Sequence, residues 1–231
     1  MEASTHPDQI YQTLEREITE LTIRPGEVLS ENSLCKRFGV SRTPIRSVLQ
    51  RLEQNRFVQI VPCKGTLVTP IDRHIASQLI YRRVAVETMV LRDFTLAATP
   101  PEIEQVRYRL DQMREAAEGR HDPEHFDLNG FLRRDLAMHE LWFRFTDNMY
   151  LWEDMTRPHA DYSRFIRLDI LGAKNVPDVL QEHAEMMRII DEKDVGAIEA
   201  LMRYHLYGGV RRLGGKIYSE EYSAYFRPVE L

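Results

Sequence analysis

Residues 30–58 read SENSLCKRFGVSRTPIRSVLQRLEQNRFV, and this stretch predicts two helices joined by a tight turn. Ser30 can cap the first helix, in which Leu34 and Phe38 lie four residues apart and therefore on one face. Gly39 follows, and glycine favours the left-handed backbone that often ends a helix. The stretch therefore predicts a compact helix pair.

The second helix of the pair carries side chains suited to meet DNA. Ser41 can cap it, and Pro44 falls in its first turn, where the missing N–H of proline is tolerated. Its apolar stripe consists of Ile45, Val48, Leu49 and Leu52. The polar side chains that lie off the apolar faces of the pair are Lys36, Arg42, Thr43 and Arg46. This is the helix-turn-helix arrangement, in which the second helix presents its N-terminal residues to a major groove.

A β-hairpin is predicted directly after this helix, over residues 57–69. Two β-rich runs flank the short loop 62–65, and Asn55 is the candidate for the left-handed residue that ends the preceding helix. A strand pair in this position makes a winged helix, whose wing reaches the neighbouring minor groove or backbone. We expect DNA contacts from Lys36, Ser41, Arg42, Thr43, Arg46, Lys64 and Gly65.

The charge distribution agrees with a DNA-binding role. Residues 36–64 hold seven basic side chains and one acidic side chain, a local net charge of +6 in a chain whose net charge is −5. A basic island in an acidic protein is typical of a surface that neutralises phosphates. The alternative is a solvated helix pair with no nucleic-acid role, but the turn chemistry and the hairpin both favour DNA binding.

Length and composition indicate two domains and a cytoplasmic protein. A chain of 231 residues is long enough for two small domains, and the boundary is expected near residue 70, giving domains 1–70 and 71–231. The start has no signal-peptide pattern, and no run of 18 apolar residues could span a membrane. Two distant cysteines suit a reducing compartment.

The second domain is predicted to be an all-helical bundle, so that the fold class is mainly α. Six helical patterns run over about 73–98, 102–118, 124–146, 148–171, 177–192 and 194–213. The first presents a face of Ile75, Leu79, Val86, Val90 and Phe94, and the fourth is expected to kink at Pro158. The aromatic tail, from Ile217 onward, is expected to fold back.

Polar side chains occupy positions on the core stripes of three of these helices. Asp135 and His139 lie four apart on one helix, His183 lies on a second and His205 on a third. Burying each without a partner would cost about 1–3 kcal/mol, and a divalent cation would satisfy all four at once. Single core histidines are commonly bonded to a carbonyl, and Asp135 could pair with an arginine, so both alternatives stay open. His159 is a fifth inward residue, expected in a ligand pocket or the core.

Residues 8–70 resemble the DNA-binding domain of the GntR family of bacterial transcription regulators. The segments PGEVLSE, residues 25–31, and VSRTPIR, residues 40–46, are similar to the two signatures of that family. The sequence departs from the pattern at Asn32, where members often carry a basic residue, and at Arg56, where glycine usually ends the helix. The resemblance implies a DNA-binding function.

Residues 73–215 resemble the FadR-type C-terminal effector domain, the common partner of this winged helix. The matching pattern is an Asp-x-x-x-His helix at 135–139, a later Glu-His at 182–183 and a third histidine at 205. The resemblance implies a divalent metal, zinc or nickel, held by Asp135, His139, His183 and His205, with Arg83 lining the ligand pocket.

These features predict a regulator, most simply a repressor, and not an enzyme. We expect a homodimer that binds operator DNA and releases it when a small carboxylate binds beside the metal, while the opposite response to the acid stays open. Two alternatives stay open: the ion itself could be the signal, or the metal could activate water in a hydrolase. The sequence shows no general base or nucleophile motif beside the four groups.

Overall fold

A computed structural model describes residues 6–118, 126–170 and 175–228. The chain forms two compact units. The described residues of the first unit are 6–77, 158–167 and 214–228, and those of the second are 78–118, 126–157, 168–170 and 175–213. The domain boundary near residue 70 stays a prediction.

The described elements follow one another in this order: α1 Pro7–Thr19, β1 Val28–Leu29, α2 Glu31–Phe38, α3 Arg42–Gln54, β2 Val58–Val61, β3 Gly65–Val68, α4 Arg73–Ala97, α5 Pro100–Ala116, α6 Leu128–Phe145, α7 Met149–Thr156, α8 Tyr162–Ile170, α9 Val176–Glu192, α10 Ile198–Leu206, α11 Gly208–Leu213, a 3₁₀ turn Gly214–Tyr218 and α12 Glu220–Ser223.

The first unit contains the predicted winged helix-turn-helix. Helix α1 packs against α3, and α2 packs against α3, so that their apolar faces share one core. The sheet has the order β1-β3-β2, with both strand pairs antiparallel. The hairpin register pairs Val58 with Val68 and Val61 with Gly65. The prediction of a winged helix with a small hairpin is confirmed, and the two-residue strand β1 is an addition to it.

The turn between α2 and α3 contains the predicted glycine, but one of the two predicted side-chain caps is not formed. Gly39 has φ 65°, in the left-handed region, and the Ser30 hydroxyl accepts a hydrogen bond from the Ser33 amide at 3.5 Å. Ser41 holds the N-cap position of α3, but its side chain makes no capping hydrogen bond. Ser41 is therefore at the predicted N-cap position, but the predicted hydrogen bond from its side chain is wrong.

The end of α3 corrects the expectation for Asn55. Asn55 has φ −89°, and the positive φ of 66° belongs to Arg56. The Phe57 amide donates to the Leu52 carbonyl and the Arg56 amide donates to the Glu53 carbonyl, which is the Schellman pattern. Leu52 and Phe57 are both fully buried. Burial of this hydrophobic pair therefore fixes the turn, and arginine takes the position that glycine usually fills.

The second unit is a helical bundle, as predicted, with two helices broken earlier than expected. Helix α5 packs against α6 and α9, and α9 packs against α10. The predicted helix 148–171 is not one kinked helix, because α7 ends at Thr156 and the backbone of Arg157 is already extended before Pro158. The predicted helix 194–213 divides into α10 and α11. Two further predictions, a loop at 119–123 and a turn at 172–175, fall on segments of which the structure describes only Asn175.

Helix α4 buries a face that overlaps the predicted one only in part. Val90 and Phe94 are buried as predicted, whereas Ile75, Leu79 and Val86 are only partly buried. The side chains that the helix buries at spacings of four and three are Ile80, Val84, Glu87, Leu91 and Phe94. The stripe is thus rotated, and a carboxylate lies in the middle of it.

A buried arginine joins the end of the wing to α8 within the first unit. Arg164 has no exposed surface, and its Nη1 donates to the Thr69 carbonyl at 2.5 Å while its Nη2 donates to the Thr69 hydroxyl at 3.2 Å. Its Nε donates to the Ala160 carbonyl. Burial lowers the pKa of Arg164 to about 10, against the opposing influence of Asp161.

The described part of the C-terminal tail folds back, as predicted, onto the residues that follow the wing. Phe226 is buried, and its backbone forms a parallel bridge with Ile71. Its ring also packs edge-on against Phe165 at a centroid distance of 6.4 Å.

We predict that Arg164→Met lowers the free energy of unfolding by about 1–3 kcal/mol, because it removes the hydrogen bonds that this buried side chain donates to the partly buried oxygens of Thr69. Urea denaturation followed by circular dichroism measures this loss. Arg157→Met is the control, since Arg157 is exposed. Equal stability of Arg164→Met and the wild type would show that these hydrogen bonds contribute nothing.

Candidate metal centre and nucleic-acid interface

The structure brings together the four side chains that the sequence predicts as metal ligands. Asp135 and His139 come from α6, His183 from α9 and His205 from α10, and one potential ligand atom of each lies within 4.8 Å of those of the others. The three imidazole centroids are 4.7–5.3 Å apart. Both His139 and His183 are fully buried. Three helices thus converge on one small polar centre inside the second unit.

The Nδ1 atom of each imidazole lies within hydrogen-bond distance of an oxygen atom. His139 Nδ1 lies 2.6 Å from Glu87 Oε2, and His205 Nδ1 lies 2.7 Å from Glu182 Oε2. His183 Nδ1 lies 2.7 Å from the Val179 carbonyl oxygen, one turn earlier on α9. A carbonyl or carboxylate can only accept, so the proton of each neutral ring belongs on Nδ1. The Nε2 atoms are then left as acceptors, the form in which histidine binds a metal.

Three acceptor atoms consequently face one another at the centre. His183 Nε2 lies 3.1 Å from His139 Nε2 and 3.1 Å from Asp135 Oδ1. Lone pairs at this separation repel unless a cation lies among them, either a proton or a metal ion. Three imidazoles and one carboxylate are the donors that zinc and other borderline transition metals prefer. The residues therefore fit a divalent ion.

The electrostatics of the four side chains bear on the same question. Burial tends to raise the pKa of Asp135, but the His183 hydrogen bond and the neighbouring imidazoles hold it well below its usual range. Burial tends to lower the pKa of His183, yet Asp135 raises it above its ordinary value. Burial and the other two histidines lower the pKa of His205. The centre thus holds an ionised carboxylate beside one imidazole, His183, that favours a positive charge and another, His205, that disfavours it.

Glu87 forms a second layer behind His139. Its side chain is completely buried, and its Oε1 accepts a hydrogen bond from Arg83 Nε. Burial alone would raise the pKa of Glu87, but Arg83 and His139 lower it to about 2. Glu87 was not predicted, because the predicted face of α4 omits the buried positions 80, 84, 87 and 91. Its place on the stripe 80-84-87-91-94 was the signal that could have found it.

Glu182 forms the corresponding layer behind His205. Its Oε1 lies 3.3 Å from Arg211 Nη2 and 3.6 Å from Arg212 Nη1. Arg212 in turn contacts Asp169 Oδ2 at 2.6 Å. Burial raises the pKa of Glu182, although both arginines oppose that change. Glu182 is the neighbour of His183 in the sequence, but its contact with His205 was not predicted.

The two residues predicted to bind an organic ligand have different surroundings. Arg83 is 8% exposed and contacts Glu87, which connects it to the group of four through His139. His159 is not a member of that group and lies in the segment before α8, where its Nδ1 accepts a hydrogen bond from the Asp161 amide. Ligand contact stays a prediction for both.

The residues predicted to meet DNA are exposed on the first unit. The exposed set consists of Lys36, Ser41, Arg42, Thr43, Arg46, Lys64 and Gly65. Arg46 Nε lies 3.0 Å from Glu31 Oε1, and Arg42 Nη2 donates to Asn32 Oδ1 at 2.9 Å. The start of α2 thus positions two arginines of α3. Asn32, the position that departs from the family signature, accepts a hydrogen bond where a basic residue could not.

Family models match both units of the chain. The model described as "Bacterial regulatory proteins, gntR family" matches residues 7–68, and the model described as "FCD domain" matches residues 78–208. The chain belongs to the GntR family, with an FCD domain at its C-terminal side. Both predicted resemblances are confirmed.

Individual relatives agree with this assignment. The GntR-type chain is 29% identical to the HTH-type transcriptional repressor RspR of Escherichia coli over 86% of this chain and 84% of that protein. It is 25% identical to the galactonate operon transcriptional repressor of Escherichia coli, over 89% and 96% of the two chains. A solved GntR structure from Rhodococcus has a TM-score of 0.68 at 20% identity, covering 90% and 97%, and shows the shared fold.

Family membership establishes the general function. GntR proteins are DNA-binding transcription regulators, so the prediction of a regulator rather than an enzyme is confirmed. Among the described residues, no helix has the length and apolarity needed to cross a bilayer. The FCD match agrees with a metal centre in the second unit.

We predict that zinc raises the melting temperature of the wild-type protein and that EDTA reverses the change, because a ligand bound only by the native state stabilises it. Asp135→Asn removes the charged ligand and should abolish most of this shift, measured by differential scanning fluorimetry. Asp147→Asn is the matched control, since Asp147 is exposed beyond the end of α6 and has φ 59°, which asparagine tolerates. Equal zinc shifts in both variants would contradict a ligand role for Asp135.

Proposed function

We propose that this GntR regulator is a repressor whose operator affinity is controlled by a small carboxylate bound beside a divalent ion in the FCD domain. The observation that carries the proposal is the convergence of acceptor atoms from Asp135, His139 and His183, at separations of 3.1 Å, with His205 alongside. A buried cluster of this kind requires a cation, and its N₃O donor set suits zinc, with nickel as an alternative.

The four protein groups leave room for an exogenous ligand. A bound divalent ion would supply one or two further positions to a carboxylate oxygen. Arg83 supports an acidic ligand, because its guanidinium is positively charged and its partner Glu87 contacts His139 of the group of four. The name of the galactonate operon repressor makes sugar acids the first compounds to test.

The DNA-binding half of the proposal rests on the exposed basic side chains of α2, α3 and the wing. We assign base and phosphate contacts to Lys36, Ser41, Arg42, Thr43, Arg46, Lys64 and Gly65. Helix-turn-helix proteins commonly bind paired half-sites as symmetric dimers, so we propose a homodimer. A ligand with different affinities for two dimer arrangements would shift the spacing of the recognition helices and thereby the operator affinity.

Two substitutions test whether DNA binding and metal binding belong to separate residues. Arg46→Ala should weaken operator binding by about 1–3 kcal/mol and leave the zinc content unchanged, because it removes one contact to DNA. His183→Ala should lower the zinc content and leave operator binding unchanged. Gel retardation measures the first property, and plasma mass spectrometry of the purified protein measures the second.

Matched controls are available for both variants. Arg16→Ala removes the same charge from the exposed side of α1, and His74→Ala removes an exposed histidine from α4. Both should behave like the wild type in the two assays. Loss of zinc in Arg46→Ala, or full zinc content in His183→Ala, would refute the proposed division.

Separate titrations identify the signal. Zinc-loaded protein bound to an operator fragment is titrated with galactonate and other small carboxylates, and metal-free protein is titrated with zinc alone. The proposal expects release of DNA by one of the acids while zinc stays bound. Release or capture of DNA by zinc alone, with no response to any acid, would identify a metal sensor and refute control by a carboxylate.

A further inference from the structure

We infer that Glu87 is a positioning residue of the metal centre, which holds the His139 ring so that Nε2 faces the ion. The inference rests on the proposed metal site and goes beyond it, because Glu87 is not one of the four residues that could offer a ligand atom.

Both oxygens of Glu87 have defined partners. Oε2 lies 2.6 Å from His139 Nδ1, and Oε1 accepts a hydrogen bond from Arg83 Nε. Glu87 and His139 are each 0% exposed, so water does not compete for these contacts. An ionised carboxylate can only accept, which places the ring proton on Nδ1 and turns the lone pair of Nε2 toward Asp135 and His183.

Two large side chains, Glu87 and Trp142, contact the His139 ring, and only Glu87 can accept a hydrogen bond from its Nδ1. The Trp142 ring packs at a centroid distance of 4.6 Å from His139 and limits the motion of the imidazole. Its indole N–H is a donor only, so it cannot accept the proton of Nδ1. Packing therefore restricts the ring, whereas the carboxylate of Glu87 selects its tautomer.

The three imidazoles obtain their acceptors from different sources. His183 uses a backbone carbonyl of its own helix, at Val179, which no side-chain substitution removes. His205 uses Glu182, which two arginines also contact. His139 depends on a side chain of another helix, α4. The contact between Glu87 and His139 is fully buried, and one substitution can remove it. Glu87 is therefore the position at which we test such an orienting contact.

Zinc competition with a fluorescent chelator tests this role. Glu87→Gln keeps the shape of the side chain but lets an amide N–H face Nδ1, and it should weaken zinc binding by about 10–100-fold, as is typical for the loss of such a partner. Glu140→Gln is the matched control, because Glu140 follows His139 on α6, is partly exposed and pairs with Arg144. It should bind zinc as the wild type does.

A second variant separates positioning from a purely structural ion pair. Arg83→Met combined with Glu87→Met removes both buried charges together with the acceptor of His139 Nδ1, so that no unpaired arginine destabilises the fold. Its zinc affinity should remain about 10-fold or more below that of the wild type. Wild-type affinity in this double variant would mean that Glu87 serves only Arg83, and would overturn the inference.

A spectroscopic measurement reports the tautomer itself. In zinc-loaded protein, long-range ¹H–¹⁵N spectra should show His139 protonated at Nδ1, with slow exchange of that proton, and the signal should be lost in Glu87→Ala. An unchanged His139 signal in this variant would contradict the inference while leaving the metal site intact. Absence of zinc binding in the wild type would instead refute the proposed metal function.

Discussion

The second unit depends on the convergence of acceptor atoms at one buried point. His139 Nε2, His183 Nε2 and Asp135 Oδ1 approach to 3.1 Å, and the outer nitrogens of their rings are already bonded to oxygens. Such a centre cannot be satisfied by rearranging neutral hydrogen bonds, because every atom that faces it is an acceptor. A cation is the one partner that removes both the repulsion and the cost of desolvating the carboxylate.

This constraint explains why helices from distant parts of the sequence pack as they do. Asp135 and His139 lie one turn apart on α6, so both point to the same side. Helices α9 and α10 must then bring His183 and His205 to that side, and α4 must place Glu87 behind His139. The hydrophobic stripes alone allow several helix rotations, whereas the polar contacts fix one.

The sequence predicts the features that depend on local periodicity and fails where tertiary packing decides. The helix pair, the wing and the four inward polar groups follow from spacing, and the structure contains them all. The face of α4 was right only at Val90 and Phe94, because alternative stripes on a long helix look alike until its partners are known. Asn55 was wrong because the buried Leu52–Phe57 contact places the left-handed residue at Arg56, against the residue's own preference.

The Arg46–Glu31 pair of the first unit and the Arg83–Glu87 pair of the second differ in how easily one partner can be replaced by another group. Arg46 and Glu31 are both solvent-accessible, and exposed ion pairs contribute little to stability, so a DNA phosphate or base can replace Glu31 as the partner of Arg46. Arg83 and Glu87 are buried, and separating them would leave an uncompensated charge without water. The first pair therefore holds a side chain ready for a new partner, whereas the second keeps its geometry whatever binds nearby. A regulator needs both properties, an exchangeable surface for DNA and a fixed frame around the site that detects its signal.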